Sequence, residues 1–153
     1  MKITLITLGH SLAADETAWI DTYIKRLRAF AEVQHKTYKD KFDLYQDRND
    51  PKYEKWVTSL IDPKSYLIAL DEHGKKLSTT TLAKHIQDIE LQNKHLTFLL
   101  GGAYGLPAAV IQQAHTKLSL SNLTFPHKLA FLMLCEQLYR CFTIHKNIPY
   151  HHD

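Results

Sequence analysis

Glycine, proline and cysteine are scarce in this chain: five, five and two among 153 residues. So few glycines and prolines exclude collagen-like and Pro/Gly-rich disordered sequences. Two cysteines exclude a disulfide-built scaffold. Cys135 and Cys141 sit on one expected helix, where a rise of 1.5 Å per residue sets their Cα atoms roughly 9 Å apart, too far for a disulfide. They read instead as small buried apolar residues in a reducing compartment. No apolar run approaches the roughly 20 residues of a membrane span, and the N-terminus lacks the segments of a signal peptide, so the expected location is the cytoplasm. Neither a phosphate-binding P-loop nor a dinucleotide fingerprint is present. Despite ten histidines, no pair has the spacing of a zinc motif with the cysteines, so no metal is expected. Internal repeats, low-complexity tracts and linkers are lacking too.

What is present describes an ordinary folded domain, with 44% apolar and 23% charged residues. The length fits one domain over 1–153 and leaves no room for a separate RNA-binding module. Any second binding surface must come from a partner or another copy. A net charge of +3 permits a phosphate-rich partner without demanding one.

Strand and helix signals alternate along the chain. KITLITL at Lys2–Leu8 reads as a strand. From Glu16, the apolar residues Trp19, Ile20, Tyr23, Ile24, Leu27 and Phe30 recur at three and four, a helix whose other face holds Lys25, Arg26 and Arg28. Residues 33–38 read as a weak strand near an edge, and 39–49 as a charged loop. Asp50 caps a helix with Pro51 in its first turn. The run SYLIAL (65–70) is a strand covered on both faces, followed by a polar turn at 71–76. Ser78 caps the next helix, LTFLL (96–100) is another strand, and Gly101, Gly102 and Gly105 make the turn before a helix started by Pro107. Residues 118–120 form the last strand before a long helix over 126–144. Five strands alternating with helices predict an α/β domain, a mostly parallel sheet with helices on both faces.

Ligands of such sheets bind at the carboxyl ends of the strands, which singles out the loops after Leu70, at 101–106 and at 121–125. The glycines of GGAYG let a ligand approach the backbone, or simply make a strand-to-helix turn. Ser121, Asn122 and Thr124 either contact a ligand or cap the following helix. Leu120, Leu123 and Phe125 either wall a pocket or pack the core. Glu136 and Arg140, four apart on a helix, pair on one face, an arrangement equally expected of an exposed ion pair. A terminal YHHD is ordinarily a frayed tail. A flavodoxin-like small-ligand binder would need a phosphate loop near Gly9, where HSLAADE offers few glycines or hydroxyls.

Five blocks of this sequence carry a resemblance: LSLSNLTFPH (Leu118 to His127), EQLYR (Glu136 to Arg140), PYHHD (Pro149 to Asp153), LLGGAYGL (Leu99 to Leu106) and ALDEHGKKLS (Ala69 to Ser78). Together with the opening KITLITLG they make the whole chain resemble the small SPOUT-class ribosomal RNA methyltransferases of the RlmH type. The resemblance implies a C-terminal trefoil knot and S-adenosylmethionine held by Leu70, Gly101, Leu120, Ser121, Asn122, Leu123, Thr124 and Phe125. It also implies methylation of N3 of a pseudouridine in large-subunit ribosomal RNA or the assembled ribosome, by a homodimer whose sites borrow surface from the second subunit. Methylating an imide nitrogen requires removal of a weakly acidic proton, alignment with the methyl group and exclusion of water. The residues supplying acids, bases and cations for this are His127, Glu136, Arg140, Tyr150 and His151, with Tyr150 and His151 brought over the cofactor cleft by the tail to stack on a flipped base. Lys25, Arg26, Arg28, Lys75 and Lys76 are candidate phosphate contacts. Phe131 stands where the resembled family usually has an arginine, with Lys128 the nearest substitute charge, and the chain ends in His152 and Asp153 where a basic residue is common. The Phe131 departure motivates an alternative, a non-catalytic RNA-binding or ribosome-associated module that kept the fold.

Overall fold

The computed structural model describes residues 1–9, 14–92 and 95–152, with the side chains of 14–16 left aside. Asp153 and most of the HSLAADE stretch therefore lie outside the described residues. Five strands form one sheet: β1 (Lys2–Leu8), β2 (Glu32–Tyr38), β3 (Tyr66–Lys76), β4 (His95–Leu100) and β5 (Thr116–Ser119). Their spatial order is β2-β1-β4-β3-β5, and every neighbouring pair is parallel. Helices make the crossovers: α1 (Ala14–Leu27), the short α2 (Phe42–Tyr45), α3 (Pro51–Ser59), α4 (Thr79–Gln92), α5 (Ala108–Gln113) and α6 (His127–His145).

Strand alternation divides the core into two layers. Ile3, Leu5, Val33, Ile68, Phe98 and Leu100 face α1, α4 and α6, whereas Ile6, Leu8, Leu67, Ala69 and Leu99 face α3 and α5. Coverage on both sides explains why 65–70 and 96–100 are nearly unbroken apolar runs. Helix α6 lies against α1 and α4 and buries Phe131, Leu134, Cys135, Leu138, Cys141 and Phe142, a three-and-four spacing that turns one face to the sheet. Full burial of a side chain such as Phe98 or Leu134 contributes about 1.5–3 kcal/mol. At the start of α3, Asp50 Oδ1 accepts the Lys52 N–H at 2.8 Å, the cap expected from the sequence.

Several local expectations are corrected. The segment 39–49 contains α2 rather than only loop. Residues 71–76 do not form a turn: β3 continues to Lys76, with Leu70 and Lys75 both paired to Leu118. The intervening residues bulge out before pairing resumes with β5. Gly74 fits this bulge because a Cβ there would lie 2.6 Å from the Lys117 carbonyl carbon. Trp19 does not join the apolar face of α1 and is 63% exposed. Ser121, Asn122 and Thr124 do not cap α6, whose N-cap is Pro126 with no side-chain cap bond.

Candidate active site

Because the strands are parallel, β1, β4, β3 and β5 deliver their carboxyl ends to one edge of the sheet. The turn after β4 is closed by the Gly105 N–H donating to the Gly102 carbonyl at 3.0 Å. Gly105 has φ +77°, and a Cβ on Gly101 would stand 2.7 Å from the Gly105 carbonyl carbon. Side chains at these positions would force the turn open. Asp40 braces it from the β2 side: its carboxylate accepts the Tyr53 hydroxyl at 2.8 Å and the Phe42 N–H at 3.0 Å, and its other oxygen lies against Gly102. The Phe42 and Tyr104 rings stack with centroids 4.0 Å apart.

The segment after β5 leads from the same edge of the sheet into α6. Ser121 Oγ accepts the Leu123 N–H at 3.0 Å, and the Ser119 hydroxyl donates to the Ser121 carbonyl at 2.9 Å. These bonds hold a tight loop that presents Asn122, Leu123 and Thr124 to solvent, with Leu123 72% exposed. Leu123 is therefore not a core residue, while Leu70 and Leu120 are half-buried against the core and Phe125 is half-buried.

His127, the first residue of α6, joins the loops. Its ring lies beside Gly9 and hydrogen-bonds the Gly101 backbone. Burial holds its pKa below the ordinary imidazole value, opposed by the Gly101 bond and the Asp40 charge. In the neutral ring one N–H donates to Gly101 and the other nitrogen keeps its lone pair.

Glu136, Arg140, Tyr150 and His151 form a second cluster. Glu136 Oε1 accepts Arg140 Nε–H at 3.0 Å and Nη2–H at 2.5 Å, together with the Tyr150 hydroxyl at 3.0 Å. The Arg140 guanidinium carbon sits 4.6 Å from the Tyr150 ring centroid, and Nη1 is 3.4 Å from His151 Nδ1. Since guanidinium only donates, His151 Nδ1 is the acceptor there. Burial, then hydrogen bonding to Tyr23 and Glu136, raises the Tyr150 pKa above the ordinary phenol range, so the hydroxyl remains a donor. Glu136 and Arg140 are thus a half-buried network rather than an exposed pair, and Tyr150 and His151 of the tail pack against it.

The two clusters do not meet within one chain. Both ride on α6, where thirteen residues from His127 to Arg140 correspond to about 20 Å of helix. Phe131 lies between them but points away, 1% exposed with its ring 4.6 Å from that of His35. It is a core residue and takes no part in the hydrogen bonds of the second cluster. The open groove of about 460 Å³ between α3 and α5 lies away from both clusters, and one of about 630 Å³ beside Met1 borders the tail cluster only through Phe30, whose ring is 6.0 Å from that of Tyr139. No group of three His, Cys, Asp or Glu suited to a metal occurs among the described residues, and none of their helices is long and apolar enough to cross a membrane.

Solved structures share this architecture. A probable methylase family protein from Haemophilus influenzae matches at TM-score 0.56 and 14% identity, covering 99% of this chain and 70% of that one. A probable methyltransferase from Bordetella pertussis matches at TM-score 0.55 and 12% identity, covering 91% and 95%. The family model described as "Predicted SPOUT methyltransferase" matches residues 1–151, and the chain belongs to that family of methyltransferases. Its full-length relatives are more particular: proteins named ribosomal RNA large subunit methyltransferase H from Campylobacter lari (37% identical, 99% of both chains), Desulforamulus reducens (36%, 99% of both) and Bacteroides thetaiotaomicron (32%, 100% of both). The resemblance read from the five sequence blocks holds along the whole chain.

Sequence reasoning missed Asp40 and Tyr23. Asp40 lies in a segment without periodicity, and nothing local marks it as the brace of the glycine turn. Tyr23 was assigned to an apolar helix face, yet its hydroxyl lies 3.3 Å from that of Tyr150, a contact across 127 residues that no spacing rule reveals.

Proposed function

We propose that the protein transfers a methyl group from S-adenosylmethionine to N3 of a pseudouridine in large-subunit ribosomal RNA, as a homodimer in the cytoplasm. One observation carries the dimer: the loop cluster lies at the first residue of α6 and the tail cluster on its second half, from Glu136 to Arg140, about 14–20 Å along the helix, so a site that uses both is most simply built from two copies. The family's trefoil knot belongs to the same reading, with α6 as the threaded element between α1 and α4.

The loop residues fit the cofactor chemically. Leu70, Leu120, Leu123 and Phe125 offer apolar surface to an adenine; Ser121, Asn122, Thr124 and the Gly101 backbone offer hydrogen bonds to a ribose and an amino-acid end. S-adenosylmethionine supplies an electrophilic methyl group. The protein's own residues do the rest. The lone pair of neutral His127 would take the N3 proton of the acceptor, leaving the nitrogen free to receive the methyl group that the bound cofactor would supply. Negative charge developing on the flanking carbonyl oxygens would meet the remaining N–H groups of Arg140 of the other subunit, with the Tyr150 ring beside it to stack on the base. Glu136 keeps Arg140 and Tyr150 oriented.

Incubation with radiolabelled S-adenosylmethionine and ribosomes lacking the modification tests the reading. Label is expected in large-subunit RNA, mapped to pseudouridine by nuclease digestion and mass spectrometry; ribosome binding without incorporation would establish the non-catalytic alternative. Subunit mixing tests the dimer. Gly101→Trp and Tyr150→Phe chains, each inactive alone, recover activity when co-expressed, whereas a site within one chain gives no recovery.

A further inference from the structure

Three cations crowd the end of α1, yet the structure treats them differently. Lys25, Arg26 and Arg28 are all exposed. Only Arg26 is laid across aromatic rings, its guanidinium carbon 5.3 Å from the Tyr23 centroid and 5.6 Å from that of Tyr139. No carboxylate forms an ion pair with it among the described residues. Both rings also belong to the tail cluster: the Tyr23 hydroxyl is 3.3 Å from that of Tyr150, and Tyr139 meets Tyr150 edge-on at 4.7 Å. Arg26 is therefore the outer layer of the cluster to which Arg140 is internal.

Chemistry separates the two arginines. Arg140 is neutralised by Glu136 through two hydrogen bonds, so its charge is committed inside the protein. An arginine held within cation–π distance of aromatic rings keeps N–H groups available and loses little rotamer freedom on gaining an anion, and its planar fork suits two phosphate oxygens. A base splayed out of an RNA strand carries its own phosphate a sugar's length away. A cation one ring outside the aromatic cluster is placed to receive it.

We propose that Arg26 binds the phosphate of the acceptor nucleotide or of its immediate neighbour, making α1 part of the RNA site. Lys25 and Arg28, without such support, contribute only to the general field. This rests on the methyltransferase reading above.

The test uses full-length Arg26→Gln, Arg26→Lys, Lys25→Gln and Arg28→Gln proteins with ribosomes lacking the modification. Three quantities are measured: KM and kcat for methyl transfer, S-adenosylmethionine affinity by calorimetry, and the salt dependence of co-sedimentation with the ribosomes. Arg26→Gln should raise KM for ribosomes about tenfold or more, with kcat and cofactor affinity within about twofold of wild type. Its log–log salt slope should shrink by about 0.7–0.9, one phosphate's worth. Arg26→Lys should recover part of the loss, and the other two substitutions should stay within about twofold. Equal losses in all three glutamine variants would replace the proposal with a diffuse charged face. A fall in kcat with KM unchanged would make Arg26 a positioning residue for Tyr150, and an unaltered Arg26→Gln protein would end the idea. Should wild type itself transfer no methyl group, the methyltransferase reading fails, and co-sedimentation still decides whether Arg26 contacts RNA.

Discussion

Gly101→Ala is the substitution whose outcome follows most directly from the geometry. The added Cβ would stand 2.7 Å from the Gly105 carbonyl carbon, 2.9 Å from its oxygen and 2.9 Å from the Leu106 nitrogen. All three are backbone atoms, so no side-chain rotation relieves the overlap. The nearest approach is about 0.7 Å inside ordinary van der Waals contact, and relief requires the turn to open at a cost of about 1–3 kcal/mol. For a domain of this length each kilocalorie lowers Tm by about 2–4 °C. Gly105→Ala is the control: its φ of +77° costs about 1–2 kcal/mol, but the nearest atom to its Cβ is Arg48 Nη1 at 3.5 Å, the end of a flexible side chain. Both variants should lose stability in urea titrations. Gly101→Ala should lose much more S-adenosylmethionine affinity by calorimetry, because it displaces the strand-proximal backbone proposed to hold the cofactor. A Gly101→Ala protein with wild-type stability would refute the steric argument, and one destabilised but binding cofactor normally would move the cofactor elsewhere.

Three further outcomes are expected. Burial lowers the pKa of His127 and of His35, the latter against a raising Asp21 charge, so below the ordinary value of 6.5 the unfolded chain binds protons that the fold does not; stability should be flat with respect to these groups above that pH and fall below it. Urea midpoints at about pH 5.5 and 7.5 should show the fall, His127→Gln should reduce it, and a variant with an unchanged slope would contradict the assignment to this group. Phe131→Arg should cost about 3–5 kcal/mol, by leaving a charge buried near His35, without raising methyl transfer; a stable, more active variant would mean that this position faces the site. Cys135 and Cys141 are 0% exposed, and burial pushes the Cys141 thiol up to about 12 and the Cys135 thiol in the same direction. Native protein should resist a disulfide-exchange reagent until denaturant is added, and rapid labelling of either thiol would show that α6 is not sealed against the sheet.

The strands were legible because coverage on both faces writes itself into composition: SYLIAL and LTFLL have no polar face to disguise them. Weakly patterned β2 was also readable as an edge, where half its residues meet solvent. The bulge in β3 was not, since Asp71 to Gly74 are turn-forming residues and only pairing with β5, more than forty residues away, continues the strand. The capping alternative for Ser121, Asn122 and Thr124 failed for a related reason. The Ser121 hydroxyl and carbonyl close the loop on itself, and Pro126, which lacks an N–H, begins the helix without a side-chain cap. The split of the candidate site was within reach of the sequence, because helical rise alone sets Arg140 far from His127. What spacing does not reveal is the layer of Tyr23, Arg26 and Tyr139 around Tyr150, which depends on how α1 lies across α6.

Helix α6 consequently acts as a measuring rod. One inserted residue would turn everything beyond it by about 100° and disengage Tyr150 from Tyr23, while a whole added turn would lengthen the rod by about 5.4 Å and shift the tail cluster by that amount relative to the loop cluster. Its length should therefore tolerate less variation than the loops it connects, and engineered extensions should disable turnover well before they unfold the protein.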